Sequence, residues 1–196
     1  MRGAAYLLGK PVPGVRQSDR LRHMSKRWKP NLTVAAIVAR PLHGKPVTDP
    51  GTQFLLVEEE TTEGLRLNNP AGHLECGESP LDAVVREVLE ETTCAFSPEF
   101  LVGIYMSRYV RPRRQQDVTY MRLAFGGIVG EEDPNLSLDK GIVRTVWMTF
   151  EELQASRDRH RSSLVLRGIS DLLAGQRLSL SALWVDRTVQ EPEVRG

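Results

Sequence analysis

The chain has 196 residues, 40% of them hydrophobic, and a formal net charge of +1 from 26 Lys and Arg against 25 Asp and Glu. That length can bury a core of its own, and so even a charge balance gives no global field to draw the chain to nucleic acid or to an anionic membrane. No apolar run approaches the ~18 residues of a membrane span, and the two cysteines, Cys76 and Cys94, have a spacing that suits neither zinc nor a redox pair, which points to a reducing cytoplasm.

Residues 1–28 stand apart. They hold seven Lys or Arg against the single acid Asp19, Pro and Gly interrupt them, and no apolar period persists. The segment reads as a disordered basic extension or as the product of a start placed ahead of Met24; a nucleic-acid or partner-binding arm is the sharper alternative. Its opening, Gly3 to Gly9, is too short for a signal-peptide core and is broken by Lys10-Pro11. One domain is expected over residues 29–180, with 181–196 as a C-terminal tail. Leu32 to Ala39 is an apolar, β-branched run and predicts a buried strand, and Gln53 to Glu58 predicts a second after the Pro/Gly loop Pro41 to Gly51. Asn68-Asn69-Pro70-Ala71-Gly72 predicts a turn, with Gly72 and Gly77 as sharp bends.

A helix is expected next. Ser79 suits the N-cap, Pro80 the first turn, and Asp82 the acid of a capping box. Leu81, Val84, Val85, Val88 and Leu89 follow the spacing of a buried stripe, with Glu87, Glu90 and Glu91 on another face at i, i+3, i+4. Three carboxylates so close repel, and Arg86 alone offsets them locally. Either this is an acidic face turned to water, or it holds a hard divalent cation that wants oxygen ligands.

Phe100 to Tyr109 and Val118 to Val129 predict a hairpin, and its loop brings Arg108, Arg111, Arg113 and Arg114 together. Arginine suits bidentate contact with phosphate, but a solvated hairpin tip reads equally well. Ile142 to Trp147 predicts another strand, Thr149 a cap for a short helix, and Ser162 to Ala174 an amphipathic helix ending at Gly175. Trp147 and Trp184 read as packing residues. Tyr109 and Tyr120 could stack a base or simply pack on the sheet, and His73 could touch phosphate or merely line its turn.

The spacing Gly72, Glu78, Arg86-Glu87-Val88, Glu90-Glu91, Thr93, Cys94 resembles the Nudix box, G-x5-E-x7-R-E-U-x-E-E-x-G-U, where U is a bulky aliphatic. Every charged position matches; Thr93 stands where the family has Gly, and Cys94 at the last aliphatic site. Thr93 would be strained in a left-handed turn, so a slightly altered turn is expected. Cys94 reads as a small buried hydrophobe. Residues Asn69 to Glu75, Leu153 to Ser156 and Arg161 to Val165 further resemble the NudJ-type phosphatase subfamily, although Leu67 replaces a Trp and Ser163 a Pro. The resemblance implies an α/β (α+β) fold, an α/β/α sandwich with a mixed sheet. It implies Mg²⁺ or Mn²⁺ held by Glu87, Glu90, Glu91 and the Gly72 carbonyl, with Arg86 pairing Glu78 and with Glu91 or Glu87, or else another acid on a later loop, activating water. Arg108, Arg111, His73 and Tyr109 are then the candidates for substrate contact. The implied reaction is phosphate release from a small phosphoanhydride: hydroxymethylpyrimidine diphosphate, thiamine diphosphate or a nucleoside di- or triphosphate. Hydrolysis of ADP-ribose or a dinucleotide and non-catalytic nucleotide binding are the alternatives, and the protein is expected as a monomer or homodimer.

Overall fold

The computed structural model describes residues 28–111 and 116–190, the side chains of residues 111 and 116 excepted. The basic extension of residues 1–27 and the loop arginines Arg113 and Arg114 lie outside the described residues, as does the Arg111 side chain. In chain order the strands are β1 (Asn31–Ile37), β2 (Ala39–Arg40), β3 (Gln53–Thr61), β4 (Gly64–Asn68) and β5 (Ala71–His73). Helix α1 (Pro80–Thr92) follows, then β6 (Cys94–Arg111), β7 (Gln116–Glu132), β8 (Ile142–Thr149), α2 (Phe150–Ala155) and α3 (Leu164–Leu173).

One sheet runs β5-β1-β7-β6, with β1 and β7 parallel and the other pairs antiparallel. The other is built on β3, which pairs antiparallel with β2, β4 and β8. The result is an α+β fold with a mixed sheet. β1 is central and covered on both faces, which explains the unbroken apolar run from Val34 to Val38. Its Val34 and Ala36, with Val38 just beyond its end, pack with Leu123, Phe125 and the α1 residues Ala83, Val84 and Val88. Ile37 turns the other way, to Phe54, Leu56, Ala124 and the α3 residues Val165, Ile169 and Leu172.

The expected strands are present, but β6 is much longer than Phe100 to Tyr109. Register shifts after Cys94, Pro98 and Leu101 let it bend without ending, and they scramble the alternation that would have shown its start. Gly72 is not a bend. It lies in β5, where Ala71, Gly72 and His73 pair with Ala35, Val34 and Thr33; a three-residue strand is set by its partner more than by its own composition. Trp147 packs against the core with the Arg40 guanidinium 4.0 Å above its ring, but Trp184 is 79% exposed and is no packing residue. No described helix is long and apolar enough to cross a membrane.

Helix α1 begins as its sequence predicts. The Ser79 hydroxyl accepts from the Asp82 N–H at 3.1 Å and the Asp82 carboxylate accepts from the Ser79 N–H at 3.2 Å, a complete capping box. Most of the predicted stripe reaches the core, with Val84 and Val88 buried and Leu81 and Val85 packed against it, but the fully buried residues extend to the acidic side. Pro80, Ala83, Val84, Glu87, Val88 and Thr92 are buried, whereas Leu89 is 40% exposed. At 100° per residue the buried arc is turned by about 90° from the aliphatic stripe. Glu87 and Glu91 therefore lie within the buried arc, and only Glu90 faces out. Thr93 also corrects the prediction: it adopts the left-handed conformation, with φ of 58°, and its N–H donates to the Leu89 carbonyl at 2.9 Å. Thr93→Gly should raise stability by about 1 kcal/mol, the left-handed penalty of a branched residue less the added chain entropy of glycine. A lower denaturation midpoint for the variant would refute this.

Candidate active site

Arg86 is the hub of the acidic turn. Its Nε and Nη2 donate to the two oxygens of Glu78 at 3.0 and 2.8 Å, Nη1 donates to Glu87 Oε1 at 2.8 Å and Glu90 Oε2 at 3.0 Å, and Nη2 also reaches the His73 carbonyl at 3.1 Å. One guanidinium thus ties the helix to the loop before it and to the end of β5. Glu78 accepts as well from the Glu75 N–H at 2.7 Å, and the Arg86 fork holds its carboxyl below the ordinary glutamate range.

Glu87 lies against Gly72. A Cβ built on Gly72 would fall inside the Glu87 carboxylate, so glycine is required here for close approach, not for backbone freedom. Burial pushes the Glu87 carboxyl up, against the pull of Arg86. Glu91 is further from its ordinary state. One oxygen accepts the Ala71 N–H at 2.8 Å, no cation pairs with it among the described residues, and burial with the nearby Glu87, Glu59 and Asp139 carboxyls pushes it to about 8.

The donors present suit a hard divalent cation: carboxylate oxygens around a glycine backbone, with no nitrogen or sulfur ligand beside them. Among the described residues no three acidic, imidazole or thiol groups converge as a finished site. The reason is visible in the contacts: Arg86 bridges Glu87 and Glu90 as a cation of its own, and Glu91 is turned to the Ala71 amide.

The raised Glu91 carboxyl makes stability depend on pH. The unfolded chain loses this proton near 4.5, the folded one near 8, so between those values the folded state holds more protons and weakens as pH rises. Metal-free protein should lose up to about 1.4 kcal/mol per pH unit across that window from this group, and Glu91→Gln should flatten the slope. Melting curves from pH 5 to 8 decide it; a wild-type midpoint that climbs with pH would contradict the assignment.

The other candidates are placed as follows. His73 ends β5 with its ring 6.1 Å from that of Tyr120, and its carbonyl, not its imidazole, holds Arg86. Arg108 is spent on its own hairpin, donating to both oxygens of Asp117 at 2.7 and 2.5 Å in an exposed pair. The Tyr109 hydroxyl donates to Glu63 at 3.0 Å. Arg111 pairs with Gln116 through the backbone at the strand end. Among the described residues, neither the His73 ring nor the Arg108 side chain hydrogen-bonds to Glu87, Glu90 or Glu91. Several polar groups that the sequence reading passed over do lie near them. Arg122 on β7 faces Glu59 and Glu91, and Glu59 Oε1 stands 3.7 Å from Arg161 Nε. The available signal was an arginine inside the apolar run Tyr120 to Phe125, where alternation alone would let it face solvent.

Residues 44–167 match the family model of the NUDIX domain. Phosphatase NudJ of Escherichia coli (strain K12) is 34% identical over 157 residues, which is 80% of this chain and 92% of that protein. Among solved structures, a NUDIX hydrolase from Nitrosomonas europaea is 42% identical with a TM-score of 0.69, over 81% of this chain and 98% of that one. A C. elegans Ap4A hydrolase, at 20% identity and a TM-score of 0.51 over 74% of this chain and 98% of that one, shares the fold alone.

Proposed function

The chain belongs to the Nudix family and is a hydrolase of pyrophosphate bonds, and on that premise we propose that it releases orthophosphate from small diphosphates and triphosphates with Mg²⁺, or Mn²⁺ in its place. The substrate class is hydroxymethylpyrimidine diphosphate, thiamine diphosphate and nucleoside di- and triphosphates. The observation that supports this most is the half-buried Glu91, unpaired with any cation among the described residues, beside a glutamate pair that Arg86 bridges. The likeness to the E. coli Phosphatase NudJ adds the preference for phosphate release over cleavage into two nucleotides.

In this reading Glu87, Glu90, Glu91 and the Gly72 carbonyl would hold the cation. When bound it neutralises phosphoryl oxygens and makes water a better acid. Arg86 keeps Glu78 through its bidentate face, so the loop stays tied to the helix whether or not Glu90 is released. Glu91 takes the proton from the attacking water. It is the better base of the two glutamates considered, because Arg86 donates to Glu87 and stabilises its anion, whereas only a backbone amide bonds Glu91. Water adds to phosphorus, the P–O anhydride bond breaks, and the shortened phosphate leaves. The exposed free thiol of Cys76 fits action in the reducing cytoplasm.

A product-resolved screen with magnesium tests this over thiamine-pathway diphosphates, nucleotides and ADP-ribose. Orthophosphate from a terminal position is expected. Two nucleoside-linked monophosphates as the main products would make it a dinucleotide hydrolase, and tight binding with zero turnover across the panel would make it a sensor.

A further inference from the structure

The acidic turn has a cationic counterpart that none of its hydrogen bonds uses. Arg122 lies on β7 directly between Thr33 of β1 and Tyr105 of β6, and Thr33 in turn is opposite His73 of β5. Residues paired in register share a face, so His73, Thr33, Arg122 and Tyr105 form one row across the sheet. Within that row Tyr105 is engaged, its hydroxyl donating to Asp171 at 3.0 Å. Arg122 is not: its Nε and Nη1 are shut away from solvent and neither has a hydrogen-bond partner. The charges that act on it are the Glu59 and Glu91 carboxylates and the Arg161 guanidinium, and among the described residues no carboxylate comes within ion-pair distance, 4.0 Å. Glu59 Oε1 and Asn68 Oδ1, on the facing sheet, are also buried without a hydrogen bond.

A half-buried guanidinium with two desolvated, idle donors destabilises a fold unless something completes it. Nothing among the described residues does so. What fits is a group that is anionic, rich in acceptor oxygens and delivered to the side of Glu91. Arginine donors in a fixed fork match phosphoryl oxygens in geometry as well as charge. Burial also raises the Glu59 carboxyl, so its charge is the weaker competitor for Arg122. The hairpin arginine Arg108, by contrast, is already neutralised by Asp117.

We infer that Arg122 is the receptor for the terminal phosphoryl group of the substrate, its guanidinium taking the non-bridging oxygens while the acidic turn works on the adjoining anhydride bond. This deepens the proposed function and rests on it. A terminal phosphoryl end has more free oxygens and more charge than the doubly esterified phosphates of a dinucleotide, so the contact selects diphosphate and triphosphate ends. Arg122 is thus a specificity-determining binding residue, and its idle donors are a cost in stability that the empty protein bears.

The experiment compares wild type, Arg122→Met and Arg122→Lys. Affinity for methylenediphosphonate is measured calorimetrically with magnesium, alongside melting temperature without ligand and phosphate release on the best substrate. The inference expects Arg122→Met to bind methylenediphosphonate at least 30-fold more weakly and to raise KM far more than it lowers kcat. It also expects a melting temperature equal to or above wild type, because the unsatisfied charge is gone. Arg122→Lys should recover part of the affinity. Unchanged affinity in Arg122→Met, or a fall in melting temperature with binding intact, would make Arg122 a structural residue and overturn the inference. Binding does not depend on turnover. A wild type that releases no phosphate yet loses methylenediphosphonate affinity on mutation refutes the phosphate-release reading and leaves the receptor assignment standing.

Discussion

Gly72→Ala is expected to lower kcat/KM by about 100-fold while the protein stays folded. The added methyl would occupy the space of the Glu87 carboxylate, and that carboxylate is the free end of a flexible side chain, so it can swing away without breaking the core. Swinging away is the damage. Glu87 leaves its place beside β5 and Arg86, and displacement of a single catalytic group by about 1 Å is enough for a loss of this size. Circular dichroism should match wild type, since Gly72 has ordinary extended geometry and needs no positive φ. A variant that kept full activity would show that Glu87 need not be where it lies.

Glu91→Gln should be costlier to catalysis, lowering kcat by about 1,000-fold, within the range for loss of a general base. The amide oxygen can still accept the Ala71 N–H, which is 2.8 Å from Glu91 now, so the local structure is preserved. Removing a half-buried, repelled carboxyl should leave stability unchanged or higher, most clearly near pH 8 where the wild-type group ionises. Glu87→Gln is the instructive partner. Glu87 is only 9% exposed, on the inner arc of α1, yet glutamine has nearly its volume and can still accept from Arg86. Its loss should therefore also appear in turnover and not in folding. Wild-type kcat in both variants would remove the acidic turn from the mechanism.

Much of the site was legible because it is local. The capping box from Ser79 to Asp82 and the Arg86–Glu78 pair sit within one helix and its loop, where spacing along the chain is nearly spacing in space. The same holds for the left-handed position after α1, except that Thr93 accepts a conformation its side chain disfavours. Here the chain must turn at once into β6, and the Asp133 N–H fixes the Thr93 carbonyl at 3.1 Å from across the sheet. Leu89 misled for a different reason. Aliphatic character marked a stripe, but the helix is seated by Gly72, whose missing side chain admits Glu87 and turns α1 inward on its acidic side. Arg108 misled because a basic hairpin tip looks the same whether its partner is phosphate or Asp117.

What the sequence determined by itself was the chemistry at hand: a capped helix that presents Glu87, Glu90 and Glu91 beside Arg86, at intervals set by helical geometry alone. What only the tertiary structure decided was the state of those groups and their company. Glu91 is half-buried against the Ala71 amide of β5 and holds its proton to about 8, and Arg122, 31 positions away along the chain, is brought to face it with two donors idle. Desolvation and strand register depend on elements that meet only when the chain has folded, so no local pattern could have announced either.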